Sequence, residues 1–163
     1  LDKLTIKMID NLRLTTRRIR TATLDHLGLV PALRELILDW MPHNKNINVN
    51  YELSDVGEGL DEGATITLYR VLQEALTNIS KHAKCQNIEI IIENITVDTE
   101  LFVKLSILDD GVGGVSQQVS AKSGLGLLGM AERINALHGT FDISDRQDMS
   151  GTRLEVILPS LAM

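Results

Sequence analysis

The chain has 163 residues, which is long enough for one well-packed domain and a small appendage. Its composition is 44% hydrophobic and 23% charged, as in a soluble globular protein, but only 3% aromatic, so aliphatic side chains must build the core. The formal net charge of −6 argues against direct nucleic-acid binding, which normally needs a basic patch, but not against binding of a nucleotide.

Cysteine and histidine usage argues against several kinds of site. Cys85 is the single cysteine, which excludes an internal disulfide and a zinc site built from several thiolates, and favours a reducing compartment. We expect Cys85 to be buried rather than reactive. The histidines lack the spacing of metal ligands such as H-E-x-x-H; they are His26, His43, His82 and His138.

The chain begins in a helical pattern. Apolar-facing positions recur at spacings of three and four, at Leu1, Leu4, Met8, Leu12, Thr15 and Ile19. So narrow a seam favours packing against another helix, although a surface helix of the same domain fits the pattern equally well. No apolar run reaches the length of a membrane span, and no signal-peptide pattern is present. Because the chain starts without an initiator methionine, we expect it to be a piece of a longer protein.

The next segments alternate between helix and strand patterns. A helix is predicted between Pro31, which is tolerated in a first helical turn, and Pro42, which ends it. Its predicted buried side comprises Leu33, Leu36, Ile37 and Trp40. Segments with the composition and alternation of strands are 46–54, 88–95, 101–108, 140–144 and 152–158.

The connections between these strands carry turn signals. A hairpin loop is predicted at 96–100 and a mobile loop at 109–123, which is rich in Gly, Ser and Gln. A further helix is predicted at 130–137, ending at Gly139 in a left-handed cap. Strands adjacent in sequence indicate a mostly antiparallel or mixed sheet with helices on one face, so the predicted fold is an α+β two-layer sandwich.

The most informative helix starts at about Ile66. Its predicted buried stripe is Ile66, Tyr69, Leu72, Leu76, Ile79 and Ala83. A second, polar stripe contains Glu74, Asn78 and Lys81, which fall within about 60° of one another at roughly 100° per residue. A carboxylate, an amide and an ammonium so aligned could meet a metal–phosphate ligand, although a solvated helix face explains the same pattern.

Two glycine clusters follow. The first, DDGVGG at 109–114, comes directly off a hydrophobic strand, where glycine allows close backbone approach to a ligand; a plain turn is the alternative. The second, GLGLLG at 124–129, has the form G-x-G-x-x-G but follows a polar loop, so it does not fit a dinucleotide fingerprint. It fits better a flexible loop that runs into a helix N-terminus, which is a potential anion site. No P-loop motif is present.

The order of these motifs resembles the Bergerat-fold ATP-binding domain, which histidine kinases share with gyrase-type ATPases, ninety-kilodalton heat-shock chaperones and mismatch-repair proteins. In detail the chain is similar to sensor histidine kinases of the nitrate and hexose-phosphate sensing type. The resemblance rests on QEALTN at 73–78, KHA at 81–83, GLLGMAER at 126–133, and the junction sequences LDHLGL at 24–29 and ALR at 32–34.

The resemblance implies a role for each polar residue of the long helix. Asn78 would ligate Mg²⁺ through its side-chain oxygen, since Mg²⁺ takes few protein oxygens together with phosphates and water. Glu74 would be a general base or an orienting group near the γ-phosphate. Lys81 and His82 would contact the phosphates of ATP.

It also implies roles for the glycine clusters. Asp109 would accept a hydrogen bond from the adenine amino group, with Thr152 in support, and Gly111 and Gly113 would let the backbone pass close to the base. The lid, at 114–123, would hinge over the triphosphate at the second cluster, whose nucleotide-binding residues would be Gly124, Leu125, Gly126 and Leu127.

The family's phosphoacceptor histidine has no counterpart here. It belongs to a first dimerisation helix, in a Glu-Leu-His-Asp-like setting that none of the histidines of this chain has. The resemblance therefore divides the chain into residues 1–22, the second helix of a dimerisation bundle, and residues 23–163, the catalytic domain. The isolated chain is expected to bind ATP but not to autophosphorylate.

In the whole protein, the expected activity is transfer of the γ-phosphoryl group of Mg-ATP to a histidine, followed by relay to a response regulator with a DNA-binding output domain. The resemblance further implies a homodimer formed through the helical bundle, and a cytoplasmic domain of a membrane-anchored protein. The alternatives are a nucleotide-gated binding and dimerisation module without turnover, and a serine kinase or gyrase-like hydrolase on the same fold.

Overall fold

Five strands form one mixed sheet in the computed structural model, which describes residues 22–56, 59–114 and 125–160. They are β1 (Asn48–Leu53), β2 (Asn87–Val97), β3 (Glu100–Asp109), β4 (Thr140–Asp145) and β5 (Thr152–Pro159). The spatial order is β1-β2-β3-β5-β4, with β1 parallel to β2 and all other pairs antiparallel. The predicted α+β sandwich with a mixed sheet is confirmed, and each strand lies within two residues of its predicted bounds.

Three longer helices accompany the sheet in the described part of the chain. They are α1 (Leu29–Trp40), which runs on into a 3₁₀ turn (Met41–His43), α2 (Glu62–Asn78), which runs on into a π-helical turn (Ile79–Ala83), and α3 (Leu125–Ala136). None of the helices in this part is long and apolar enough to cross a membrane. The predicted seam helix at residues 1–22 lies outside the described residues except for its last residue, so the division of the chain at that point stays a prediction.

One face of the sheet and the helices enclose a single aliphatic core. Alternate residues of the central strands are buried on this face: Ile88, Ile90, Ile92, Val103, Leu105, Ile107, Leu154, Val156 and Leu158. Helix α1 contributes Leu33, Leu36 and Ile37 as predicted, whereas Trp40 is only half-buried. The opposite face is more polar. On it the Nζ of Lys104 lies 3.4 Å from the Oε2 of Glu155, and because this ion pair is partly exposed it contributes little to stability.

The β2–β3 hairpin is tighter than predicted. The ladder extends to the pair Val97 and Glu100, so only Asp98 and Thr99 remain in the loop rather than residues 96–100. Both loop residues have positive φ, 48° and 75°, as in the type I′ turn whose twist matches that of the flanking strands.

Helix α2 begins four residues before the predicted start. The Asp61 side chain caps it by accepting a hydrogen bond from the backbone N–H of Ala64 at 2.6 Å, and so satisfies one of the unpaired donors of the first turn. The members of the predicted stripe that are buried are Tyr69, Leu72, Leu76 and Ile79, and those that are half-buried are Ile66 and Ala83.

Helix α3 differs from its prediction at both ends. It begins at Leu125 rather than at residue 130, so most of the second glycine cluster is helical rather than loop. At its other end the left-handed residue is His138, with φ 59°, and not Gly139. Gly139 is needed for packing instead, because a Cβ there would overlap the Leu158 side chain and lie 2.5 Å from the Ile157 carbonyl oxygen.

Candidate functional site

Asp109 is a buried carboxylate at the end of a central strand. Only 6% of the residue is exposed, and its Oδ1 accepts hydrogen bonds from the backbone N–H groups of Gly111 at 2.9 Å and Thr152 at 3.3 Å. Burial raises the pKa of Asp109, and these hydrogen bonds offset part of the rise. The structure thus brings together Asp109 and Thr152, 43 residues apart in sequence, as the family resemblance implied.

The neighbouring Asp110 has a different task, which the sequence did not predict. Its Oδ1 accepts from the backbone N–H groups of Gln86 at 2.8 Å and Asn87 at 2.9 Å, and its Oδ2 accepts from the Asn87 side chain at 2.6 Å. The side-chain hydrogen bond from Asn87 lowers the pKa of Asp110. Asp110 therefore fixes the start of β2. The carboxylate of Asp109, in contrast, is buried and largely removed from water.

Gly111 lies directly against the C-terminal end of the π-helical turn. A Cβ at Gly111 would overlap the Ala83 carbonyl oxygen, and the same oxygen accepts a hydrogen bond from the N–H of Val112 at 2.9 Å. The close backbone approach that glycine permits is therefore used within the protein. The expected approach of Gly111 to a base stays a prediction.

The end of β4 and the polar loop that follows it support the first glycine cluster. The Asp145 Oδ1 accepts from the N–H of Gly114 at 2.7 Å, and the Ser150 hydroxyl donates to the carbonyl oxygen of Gly111. Gly113, with φ 63°, packs between Asp145 and Gly151, where a Cβ would lie 3.1 Å from an oxygen of each. Neither Asp145 nor Ser150 belongs to a recognisable motif, so the sequence did not identify these supports.

The polar end of α2 is placed on the other side of Gly111. Asn78 is the last α-helical residue and is half-buried, and Lys81 and His82 are exposed in the π-helical turn that follows. The spacing of 100° per residue applies to Glu74 and Asn78 only. Lys81 does not extend their stripe as predicted, because the π-helical turn has i→i+5 hydrogen bonds and a different rotation per residue.

Glu74 lies next to α3. A Cβ built on Gly126 would be 2.9 Å from the Glu74 Oε1, so the absence of a side chain at Gly126 makes room for this carboxylate. Gly126 is inside a helix rather than in the predicted hinge loop, because α3 begins at Leu125 and not near residue 130. The anion site expected at the start of this helix stays a prediction. Leu127 belongs to the same helix. Gly124 and most of the predicted lid lie outside the described residues.

The donor types are compatible with Mg²⁺. Magnesium in nucleotide sites usually takes one or two protein oxygens and completes its shell with phosphates and water. The amide oxygen of Asn78, at a helix end beside the cationic turn that carries Lys81 and His82, is a ligand of that kind. Within the described residues no group of three or more His, Cys, Asp and Glu side chains is placed to bind a metal ion.

Cys85 is buried, as the sequence predicted, and it lies close to Asp109 and Asp110. Its burial, together with the nearby charges of Asp109 and Asp110, raises the pKa of the thiol from 9.0 to about 11. The folded chain therefore keeps this proton to higher pH than the unfolded chain does. The resulting contribution to stability is present below pH 9.0 and is lost as the pH rises towards about 11.

We expect the native thiol not to react with Ellman's reagent at pH 8 until the chain unfolds, because the thiolate is the reactive form. Urea unfolding at pH 8 and pH 10 should show a larger loss of stability in the wild type than in Cys85→Ala, which has no thiol to ionise. Rapid labelling of the native chain, or equal losses in the two proteins, would contradict the assigned environment.

Residues 63–162 match the family described as histidine kinase-, DNA gyrase B-, and HSP90-like ATPase. The signal transduction histidine-protein kinase/phosphatase DegS of Brevibacillus brevis is 32% identical over 157 residues, which are 94% of this chain and 39% of DegS. The kinase/phosphatase UhpB of Salmonella typhimurium is 35% identical over 162 residues, which are 98% of this chain and 30% of UhpB. The chain thus spans less than half the length of these relatives.

A solved structure shares the fold. The ATP-binding domain of PrrB from Mycobacterium tuberculosis superposes with a TM-score of 0.58 at 20% sequence identity, covering 82% of this chain and 94% of that domain. At this identity the likeness supports the architecture alone.

Proposed function

Because the chain belongs to the family of histidine kinase-, DNA gyrase B- and HSP90-like ATPases, we propose that it is the ATP-binding catalytic part of a sensor histidine kinase. The family implies ATP binding. The proposed reaction of the whole protein is transfer of the γ-phosphoryl group of Mg-ATP to a histidine that lies outside this chain. The phosphoryl group then passes to a response regulator.

One observation carries the proposal. The loop that follows the buried carboxylate of Asp109 meets the turn that follows Asn78, through the hydrogen bond from Val112 to the Ala83 carbonyl oxygen and the packing of Gly111 against the same carbonyl. A desolvated acceptor thus lies on one side of this contact, and an amide and two cationic or titratable side chains lie on the other. This arrangement suits a ligand with a hydrogen-bond donor at one end and anionic phosphates at the other.

The proposed roles follow from the side-chain chemistry. Asp109 accepts from the adenine amino group while Thr152 holds the carboxylate in place, because a buried charged acceptor binds an amine strongly. Lys81 and His82 bind phosphate oxygens. When bound, Mg²⁺ would be held by Asn78 and would neutralise charge on the phosphates.

Glu74 is proposed to orient the reacting groups or to accept a proton. Because metaphosphate-like transfer needs little covalent chemistry from the protein, positioning and charge neutralisation supply most of the catalysis. Glu74 lies one helical turn before Asn78, and Gly126 leaves space for its carboxylate. This placement supports a role close to the transferred phosphoryl group.

For the whole protein we propose a homodimer, membrane anchoring and a response regulator with a DNA-binding output domain. These features derive from the resemblance to the nitrate and hexose-phosphate sensing type. The names of the relatives, sensor histidine kinases and kinase/phosphatases, support a response regulator as partner in general.

The test is transphosphorylation. The chain is mixed with a separate polypeptide that carries the first dimerisation helix and its histidine, together with radiolabelled Mg-ATP. We expect acid-labile phosphohistidine on the added polypeptide and no label on the chain alone. ATP binding without transfer would favour a nucleotide-gated module, a histidine label on the chain alone would contradict the missing acceptor, and absence of ATP binding would overturn the proposal.

Asn78→Ala should lower the affinity for Mg-ATP by roughly tenfold or more, since a metal ligand or charge-assisted contact contributes about 1.5–3 kcal/mol. The matched control is Asn94→Ala, which also loses an asparagine amide but removes only a hydrogen bond to the Asp55 carbonyl oxygen. Unchanged affinity of Asn78→Ala in calorimetry would contradict the metal assignment.

Gly126→Ala should separate stability from catalysis. Alanine is favoured over glycine in a helix by about 0.5–1 kcal/mol. The added Cβ, however, would displace the flexible end of Glu74. We expect unchanged or raised thermal stability and a roughly tenfold slower transphosphorylation, a partial loss on the scale of general-base catalysis.

The control for that variant is Gly129→Ala in the same helix, where a Cβ meets nothing within 4 Å. It should gain stability and keep the transfer rate. Equal transfer rates for Gly126→Ala and Gly129→Ala would exclude a role for the Glu74 position.

A further inference from the structure

The end of α2 changes its hydrogen-bonding pattern immediately after Asn78. The α-helix stops there and the π-helical turn (Ile79–Ala83) follows, with Lys84 in the left-handed conformation at φ 50°. Single π-helical turns are rare and are found often at functional sites, where the surrounding structure must hold them. The contacts that hold this turn therefore decide where Lys81 and His82 point.

The indole of Trp40 contacts the start of the turn. Its N–H group donates to two acceptors: the nitrogen Nε1 lies 3.2 Å from the carbonyl oxygen of Leu76 and 2.9 Å from the hydroxyl oxygen of Ser80. Leu76 belongs to the α-helix and Ser80 to the π-helical turn, so the indole contacts both sides of the junction between them. Trp40 thus holds the helix end at the residues that come just before and just after Asn78 in sequence.

Asn44 closes this contact into a ring. The Ser80 hydroxyl donates to the Asn44 Oδ1 at 3.0 Å, and the Asn44 Nδ2 donates back to the carbonyl oxygen of Trp40 at 3.0 Å. The Ser80 hydroxyl accepts a hydrogen bond from the indole and uses its one donor on the Asn44 amide oxygen. Hydrogen bonds connected in this way strengthen one another.

The far end of the turn is held separately. The Ala83 carbonyl oxygen accepts from the N–H of Val112, and Gly111 packs against the same carbonyl. The π-helical turn is therefore supported at its start by the Trp40–Ser80–Asn44 ring and at its end by the loop that follows Asp109. Lys81 and His82 lie between the two supports.

We propose that Trp40, Asn44 and Ser80 are positioning residues for the phosphate-binding end of α2. By holding the α-to-π junction, the ring orients Lys81 and His82 towards the phosphates, while the adenine side of the site depends on Asp109 and is independent of the ring. This inference rests on the proposed function. None of the three residues touches the nucleotide in this proposal.

The test compares Mg-ATP with adenosine, which lacks phosphates. Affinities are measured by calorimetry on the 163-residue chain in the wild type, Ser80→Ala and Trp40→Phe, with Asn94→Ala as control. Ser80→Ala removes the central member of the ring, and Trp40→Phe removes the indole N–H while keeping an aromatic ring. We expect both to lower Mg-ATP affinity by roughly fivefold, the effect of about one lost hydrogen bond, and adenosine affinity by less than twofold.

A purely structural role gives a different result. If the ring only stabilised the fold, the melting temperature would fall, and the affinities for Mg-ATP and adenosine would either decrease by the same factor or both stay unchanged. Either result overturns the inference. Amide hydrogen exchange at 79–84 provides the second measurement, and it should be faster in Ser80→Ala than in Asn94→Ala. If the wild type bound no Mg-ATP, the proposed function itself would fail. If the wild type bound Mg-ATP and the ratio of Mg-ATP affinity to adenosine affinity were unchanged in the variants, only the present inference would be overturned.

Discussion

Replacing Asp109 with asparagine is expected to lower the affinity for ATP by roughly a hundredfold, because a hydrogen bond to a buried charged acceptor contributes about 1.5–3 kcal/mol and the amide presents the adenine amino group with a competing donor. The substitution preserves shape and can keep the contacts from the N–H groups of Gly111 and Thr152. Since burial already raises the pKa of Asp109, loss of the charge should not lower the stability of the fold.

The matched control is Asp110→Asn, one residue further along the chain. Asp110 holds the N–H groups of Gln86 and Asn87 and does not take part in the proposed contact with adenine. This variant should therefore lose some stability in urea unfolding while ATP affinity changes by less than about threefold, as expected for a partly exposed interaction. Equal losses of affinity in the two variants would contradict the assignment of the acceptor to Asp109.

The pH dependence of binding provides an independent check of the same assignment. Binding of the adenine amino group needs the ionised carboxylate, and the pKa of Asp109 lies above its usual range because the residue is buried. As the solution is acidified, ATP affinity should therefore begin to fall at a higher pH than it would if Asp109 had the pKa of an ordinary aspartate. Calorimetry between neutral pH and pH 4 measures this fall, and Asp109→Asn should lack it.

Replacing Gly151 with alanine is expected to lower the free energy of unfolding by about 3 kcal/mol, the combined scale of an overpacked site and a strained backbone. Gly151 is buried and has φ 128°, a conformation that residues with a side chain rarely adopt. A Cβ there would overlap the Asp109 carbonyl oxygen and lie 2.9 Å from the Asp110 Cα. The backbone that carries the candidate acceptor would have to move.

Gly28→Ala separates the two causes. Gly28 also has positive φ, 84°, but a Cβ there meets nothing within 4 Å. Its loss of stability should be about 1–3 kcal/mol, from backbone strain alone, and smaller than that of Gly151→Ala, because its φ of 84° and ψ of −179° form a combination that is essentially restricted to glycine. Urea unfolding measures both variants, and similar losses for Gly28→Ala and Gly151→Ala would show that the close approach of Gly151 to Asp109 carries little energetic weight.

Much of the fold could be predicted from periodicity. Strands that bury one face, such as β2 and β3, show an alternation of apolar and polar residues that can be read from the sequence. The apolar stripe of α2 can be read in the same way from its helical spacing. The π-helical turn leaves no such pattern, because it is held by partners distant in sequence: Trp40 lies 36 residues before Leu76. The sequence pattern places the start of α3 too late, because two glycines at 126 and 129 lower local helix propensity.

The candidate site could be predicted to a similar extent. Asp109 and Thr152 belong to motifs that specify residue type and order, so their contact followed from the resemblance, whereas the placement of Asn78 at the same site stays a prediction. The supports could not be predicted, because Asp145 and Ser150 act through hydrogen bonds to backbone atoms of a distant loop. Such contacts depend on loop conformation rather than on any pattern of neighbouring residues.

The hydrogen bond between Val112 and Ala83 has a thermodynamic consequence. It fixes the separation between the proposed adenine and phosphate subsites through the backbone, so ATP would bind as a bidentate ligand. In a rigid pair of subsites, occupation of the first gives the second group a high effective concentration. Adenosine and inorganic triphosphate added separately should then each bind far more weakly than intact ATP, because the chelate effect is available only to the intact nucleotide.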